Sequence, residues 1–164
     1  MDLEPITLNS LDLVLSVFES SPNYFIKVEG CLPTAGTAQE AILGEPAAKG
    51  PGYNKEFLLI RDRGRLIGTA EVHVNHPEPL SSYLGLLLIR EDLFGHGVGR
   101  ECYTAVENHL RFRHDIRRVR LGVSDDNDVS GFWSKLGFHS NGRTYCWEGE
   151  RKTSHVVEYE KALP

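Results

Sequence analysis

The stretch Ser81-Ser82-Tyr83-Leu84-Gly85-Leu86-Leu87-Leu88-Ile89-Arg90-Glu91-Asp92-Leu93-Phe94-Gly95-His96-Gly97-Val98-Gly99-Arg100 decides the fold. Its first half is an almost unbroken apolar run, with Gly85 as the weak point. Such a run is either a strand buried on both faces or a short buried helix. The polar turn and the glycines that follow favour the strand. Beyond Gly97, apolar residues recur at Val98, Cys102, Ala105, Val106 and Leu110, which predicts a helix with one buried stripe. Glu107 and Arg111 stand four residues apart on its outer face, in the order that suits an ion pair.

Gly95, Gly97 and Gly99 fall where strand becomes helix. The first N–H groups of a helix have no internal partner and carry partial positive charge. Without side chains in the way they can close around a phosphate, and a pyrophosphate would suit the site. The same glycines would also serve a plain tight turn. Two commoner phosphate loops do not fit. A dinucleotide fingerprint needs a glycine where Arg100 stands. A Walker loop needs Gly-Lys before Ser or Thr, and that triplet does not occur.

Phe94-Gly95-His96-Gly97-Val98-Gly99 instead resembles the acyl-CoA pyrophosphate loop of the GNAT superfamily of N-acetyltransferases. Phe94 stands where that pattern has Gln or Arg, which removes one side-chain contact and leaves the backbone cradle. A second stretch, Val119 to Phe138, is similar to the same family. It ends a strand, supplies Asn127 with Asp126 as a competitor, then runs through Phe132-Trp133 to Gly137-Phe138. Two motifs in the right order, each in its strand–helix context, carry far more weight than one.

Working outward, Pro5 to Leu8 is expected as a first strand, followed by a helix capped by Asn9 or Ser10 with Leu11, Val14, Leu15 and Phe18 on one face. Ser21 to Thr34 is a loop or second helix, Gln39 to Leu43 is helical, and residues 44–53 form a Gly/Pro-rich surface loop. Phe57–Ile60 and Leu66–His73 pair through a turn at Asp62–Arg65. On the second of these strands Ala70, Val72 and Val74 share one face, and Thr69, Glu71 and His73 the other. Val119, Leu121 and Val123 alternate as a strand requires. Asp126 to Leu136 is a short helix, and Phe138–Trp147 and Thr153–Lys161 are the last strands. The strand–helix–strand unit in the middle demands a parallel pair with a right-handed crossover. The fold class is therefore α/β, with a mixed central sheet of about six to seven strands and helices on both faces. Residues 1–164 are read as one domain.

Composition narrows the function. Net charge is −5, from 18 basic and 23 acidic residues, which argues against a nucleic-acid partner. The one basic cluster, Arg111 to Arg118, lies where cations complement a helix end. Cys31, Cys102 and Cys146 form neither a disulfide framework nor a zinc knuckle. Cys102 is expected in the core. The acidic start Met1-Asp2-Leu3-Glu4 does not read as a signal peptide, and no apolar run is long enough to span a membrane. A cytoplasmic setting with no membrane partner fits. The seven histidines include no His-x-x-x-His pair, and on a straight strand His73 and His76 would face opposite sides, so no metal is expected.

The resemblance implies two adjacent parallel strands that splay apart, with acetyl-CoA as co-substrate in the gap. By correspondence, Leu87, Leu88 and Ile89 offer backbone groups to the pantetheine arm. Phe94, Gly95, His96, Gly97, Val98, Gly99 and Arg100 hold the pyrophosphate. Asn127 and Trp133 fall near the lower arm. The implied chemistry is direct attack of an amine on the thioester. It needs loss of the ammonium proton, a donor for the developing oxyanion and departure of the thiolate. Glu71 and His73 are candidates for the base, and Tyr83, Tyr145 and Ser124 are weaker ones. Trp133 takes the place where a tyrosine could protonate the sulfur, and indole cannot do so. Tyr24, Phe25 and the 44–53 loop are expected beside the acceptor, a small-molecule or peptide amine, and a homodimer through the last strands is compatible with the pattern. The alternatives are a CoA-binding module of the same fold without catalysis, and an acyltransferase using another donor or a hydroxyl acceptor.

Overall fold

In the computed structural model, which describes residues 1–164 and Leu8 by its backbone alone, seven strands form a single sheet. They are β1 (Asp2–Pro5), β2 (Asn54–Asp62), β3 (Arg65–Val74), β4 (Ser81–Ile89), β5 (Arg118–Ser124), β6 (His139–Glu148) and β7 (Thr153–Ala162). Their spatial order is β1-β2-β3-β4-β5-β7-β6, and only β4 and β5 run parallel. Five α-helices join them, α1 (Leu11–Glu19), α2 (Pro22–Glu29), α3 (Ala35–Leu43), α4 (Val98–His114) and α5 (Ser130–Lys135), with short 3-10 turns between elements.

The alternation read on β3 sorts the core into two halves. Ala70, Val72 and Val74 pack with Leu58, Leu84, Val119 and Leu121 under the α4 stripe of Cys102, Val106 and Leu110. On the other face Phe57, Leu59 and Leu88 pack against Val14, Val17 and Phe18 of α1, Phe25 of α2 and Ala38 of α3. Helices thus cover both faces of a mixed sheet. Each Leu or Ile buried this way contributes about 1.5–3 kcal/mol.

Several expected boundaries move. The first strand is Asp2–Pro5, because Leu3 pairs with Ile60 at the sheet edge. Helix α3 starts at Ala35, four residues before the expected Gln39, because Thr34 and Thr37 close a reciprocal capping box. The helix expected over Asp126–Leu136 splits into a 3-10 turn at Asp125–Asn127 and α5. Glu107 pairs with Lys161 at 2.5 Å and not with Arg111, since the last strand brings a lysine to that face.

Two features of β4 position the site. Only Ser81–Tyr83 pair with β5, opposite Arg118–Arg120, and Leu84–Ile89 have no β5 partner. At the strand rise of ~3.3 Å per residue this leaves about 20 Å of open edge. A bulge also interrupts the β3 pairing, since Glu71 lies opposite Leu86 and Val72 opposite Leu84. Gly85 is the extra residue. The shift puts Leu84 in the α4 core, and Leu86 and Leu88 in the other.

Candidate active site

The open edge of β4 has a definite polarity. Arg90 N–H donates to Ile67 O, so the peptide of Arg90 faces β3. Alternation then turns the peptides of Ile89 and Leu87 toward the gap and that of Leu88 toward β3. Ser21, fully buried, donates its hydroxyl to Ile89 O at 3.0 Å. Of the three residues expected to offer backbone groups, Leu87 and Ile89 turn their peptides to the gap, with Ile89 O engaged by Ser21, and Leu88 turns its peptide to β3 and its side chain into the core.

At the end of this edge the chain turns through Glu91–Leu93 into the glycine loop. Gly95 and Gly97 have φ of +80° and +79°, and a Cβ on either would meet nothing within 4 Å. Gly97 caps α4 in the left-handed conformation, and no side chain bonds the first turn. Among the described residues no backbone bond closes the N–H groups of residues 95–99. The loop is an open cradle of unpartnered donors at a positive helix end, which fits a diphosphate. Phe94 is 59% exposed and His96 and Arg100 are also at the surface, while Val98 packs on the α4 core. Gly99 lies against the Phe132 ring, 3.3 Å from a hypothetical Cβ. Phe132 therefore borders the loop. Trp133 does not belong there: it is buried in the core, edge-on to Tyr103 and Phe138. Asp126 is held by Lys152 at 3.1 Å and Ser154 at 2.5 Å, which leaves half-buried Asn127 as the unengaged member of that pair.

A row of polar side chains crosses the sheet on the face opposite α4. Glu71 Oε1 takes Lys55 Nζ at 2.9 Å and His73 Nε2 at 3.0 Å. Lys55 also donates to Ala41 O and Gly44 O. Glu71 Oε2 lies by Gly85, where a Cβ would sit 3.0 Å from it and 3.3 Å from His73 Nε2. The bulge and the missing side chain thus leave that oxygen facing open strand. Burial, the largest influence on Glu71, raises its pKa, but the His73 bond and the Lys55 charge outweigh it and hold the carboxyl below the usual range. With Nε2–H donating to Glu71, Nδ1 of a neutral His73 accepts from the Tyr53 hydroxyl at 2.9 Å. Burial, with the charges of Glu45 and Glu71, pushes the Tyr53 phenol up to about 12.

His76 joins this group, its ring centre 6.0 Å from those of both His73 and Tyr53. The expectation that His73 and His76 face apart fails because β3 ends at Val74 and Asn75 turns with φ +54°. Tyr83, opposite His73, meets Tyr145 of β6 hydroxyl to hydroxyl above Gly122. Gly122 is just past the last β4–β5 pair, so the two phenols stand where the strands part. Burial raises both pKa values, so both stay neutral donors. Glu158, opposite Gly122 on β7, raises them further and takes Asn141 Nδ2 at 2.6 Å. Tyr24 packs on the same face, with Phe57, Leu59 and Leu88, and its phenol pKa is raised by burial and then by Glu29, Glu71 and Tyr145. Phe25 is core, stacked at 4.7 Å on Phe18. The sequence named Tyr145 and the loop that ends at Tyr53 but not Lys55 or Glu158, because three separate stretches, the start of β2, β6 and β7, deliver the four side chains.

The comparisons agree with this fold. The chain is similar to a crystal structure of an acetyltransferase from Thermus thermophilus, with 26% identity and a TM-score of 0.74 over 99% of this chain and 96% of the other. It is similar in fold to the PaiA N-acetyltransferase of Thermoplasma acidophilum in complex with coenzyme A, at 16% identity, a TM-score of 0.67, and 99% and 98% coverage. A ribosomal-protein-alanine N-acetyltransferase from Brucella melitensis shares the fold at 17% identity, with a TM-score of 0.68 and coverage of 99% and 100%. No curated protein matches the chain. The family described as acetyltransferase (GNAT) matches residues 31–138, more than half of the chain and both motif stretches. The chain belongs to the acetyltransferase (GNAT) family.

Proposed function

We propose that residues 1–164 act as one cytoplasmic N-acetyltransferase unit that moves the acetyl group of acetyl-CoA to the amine of a cationic acceptor in a ternary complex. The observation that carries this is the unpaired edge of β4, which runs from the open glycine cradle to the acid-bearing polar row. The residues present fit the donor: residues 95–99 offer N–H groups to a diphosphate, and Leu87 and Ile89 offer strand peptides to an extended arm. Acetyl-CoA supplies an activated acyl carbon. The rest falls to the chain.

Glu71 stays ionised near neutral pH and anchors the acceptor's ammonium, directly or through water, at Oε2. His73 accepts the proton. The Tyr53 hydroxyl passes its own proton to Nδ1 as it takes one from the amine, so the phenol ends unchanged. A backbone N–H of the open β4 edge donates to the acyl oxygen. One hydroxyl of the Tyr83–Tyr145 pair donates to the other and the second donates toward the leaving sulfur, and solvent supplies its proton, since a thiol pKa of about 8.5 makes thiolate a tolerable leaving group. Two acids, Glu71 and Glu158, among four tyrosines favour a positively charged acceptor. That amine is a small molecule or a peptide N-terminus or side chain.

The test is thiol release from acetyl-CoA with a panel of amines, with acetyl-CoA affinity measured in parallel. Glu71→Gln and His73→Asn are expected to keep acetyl-CoA affinity and to lower turnover by ~100-fold, the low end for general base catalysis. Unchanged turnover in both variants would remove them from the chemistry. A chain that binds acetyl-CoA but releases thiol with no amine would be a binding module.

A further inference from the structure

On the face of the sheet opposite Glu71 lies a second cluster that the transfer reaction does not use. Glu56 of β2 stands against the last turns of α4, where His109 and His114 converge. Glu56 Oε2 is 2.6 Å from His109 Nε2, and Oε1 is 2.9 Å from His114 Nε2. The two rings are 5.2 Å apart, and all three side chains are less than one-fifth exposed. His109 makes a hydrogen bond to Glu56. His114 does not: its Nε2 is close to Oε1 but off the line of a hydrogen bond, so this buried nitrogen has no hydrogen-bond partner. The nearest competing groups are Asn54, which donates to Oε1 at 3.3 Å, and Arg113, whose charge acts on Glu56.

We propose that Glu56, His109 and His114 form a binding site for a divalent transition metal of the zinc class, one that ties the end of α4 to β2. Two imidazoles and a carboxylate are a borderline donor set that suits Zn²⁺, with solvent in the fourth position. The ligand atoms already lie within 4.8 Å of one another. Zinc holds each ligand at about 2.0–2.2 Å, which spaces tetrahedral ligands roughly 3.3 Å apart, so the 2.6 and 2.9 Å contacts open by about 0.7 and 0.4 Å. Binding moves each ring's N–H from Nε2 to Nδ1, and releases a proton from any ring that is protonated. The buried, unpartnered nitrogen of His114 thereby gains a partner. The site is structural. It faces α4, whereas the polar row of Lys55, Glu71 and His73 lies on the other side of the sheet.

The experiment is calorimetric titration of chelator-treated full-length protein with Zn²⁺, with Co²⁺ absorption as the geometric readout. The expected result is one equivalent bound, with an intense visible Co²⁺ band of low coordination number. His109→Gln and His114→Gln should each weaken Zn²⁺ at least tenfold with the circular dichroism unchanged, and His155→Gln, outside the cluster, should not. ¹⁵N spectra of the wild-type imidazoles serve where a variant fails to fold, because the Nε2 and Nδ1 resonances of two rings, and those of no other histidine, should shift on saturation. Wild-type affinity in a folded ligand variant, no binding to the wild type, or shifts at other histidines would overturn the assignment.

Discussion

Lys55 decides what Glu71 can do. Its side chain is 8% exposed, and it holds one carboxylate oxygen while His73 takes the same oxygen and the other faces Gly85. Removing one partner of a buried pair leaves an uncompensated charge, which costs about 3–5 kcal/mol. Lys55→Met should fall at the low end of that range, since His73 still donates to Glu71, and the Glu71 pKa should rise. Urea unfolding and a carboxyl ¹³C titration check the two halves. The sign of the pH effect follows from the wild type. Glu71's folded pKa lies below its unfolded value, so its stabilisation is full above the ordinary glutamate range and is lost as pH falls through the lowered value. Wild type and Glu71→Gln should therefore converge in stability in acid, as urea midpoints across pH would show. Trp133 makes the opposite case. It sits in the core, so Trp133→Phe should cost about 1–2 kcal/mol of stability and change turnover by less than about tenfold, or ~1.4 kcal/mol of barrier. Steady-state kinetics beside unfolding curves would show the split.

At the scale of elements, the proposed function assigns binding to the loop behind β4 and chemistry to the polar row beside it. Gly97→Val places a branched side chain at φ +79° over the cradle, and acetyl-CoA affinity should fall by more than tenfold by calorimetry. Gly85→Ala should do the reverse. Its Cβ presses on Glu71 and His73 without touching the loop, so affinity should hold while turnover drops by up to ~100-fold, the scale expected for displaced catalytic groups. The cradle was legible because its glycines, its helix stripe and the preceding apolar run are adjacent in sequence. The faces of β3 were legible because alternation is local. The polar row was only half legible. Glu71 and His73 share a strand, but Tyr53, Lys55, Tyr145 and Glu158 arrive through pairings that no local period encodes. The Glu56–His109–His114 cluster escaped for a related reason. Its histidines are five apart on α4, outside the three- and four-residue spacings that mark one helix face, and Glu56 reaches them from β2, a distant stretch of sequence.

At the scale of the whole molecule, the sheet is one continuous layer whose two halves are joined at a short seam. Three residue pairs connect β4 to β5, and beyond them the halves diverge, one backed by β3 and the other by β7. The glycine loop lies at the far end of the open edge of β4, and the polar row crosses near the seam. On the proposed function, the acyl group and the acceptor would meet between Gly85, which lies by Glu71 and His73, and Gly122, which lies by the Tyr83 and Tyr145 hydroxyls. The seam itself could not be read from residues alone, since Leu84–Ile89 have the composition of an ordinary buried strand; it came from the family resemblance. The central claim is that this gap is the acetyl-CoA site. Titration of ¹⁵N-labelled protein with acetyl-CoA, followed by amide NMR, tests it without knowledge of the acceptor. The expected result is saturation at one equivalent, with the largest shifts at Leu87, Ile89 and residues 95–99 and small ones along β1 and β2. Saturation with the largest shifts elsewhere, or no binding at millimolar acetyl-CoA, would contradict it.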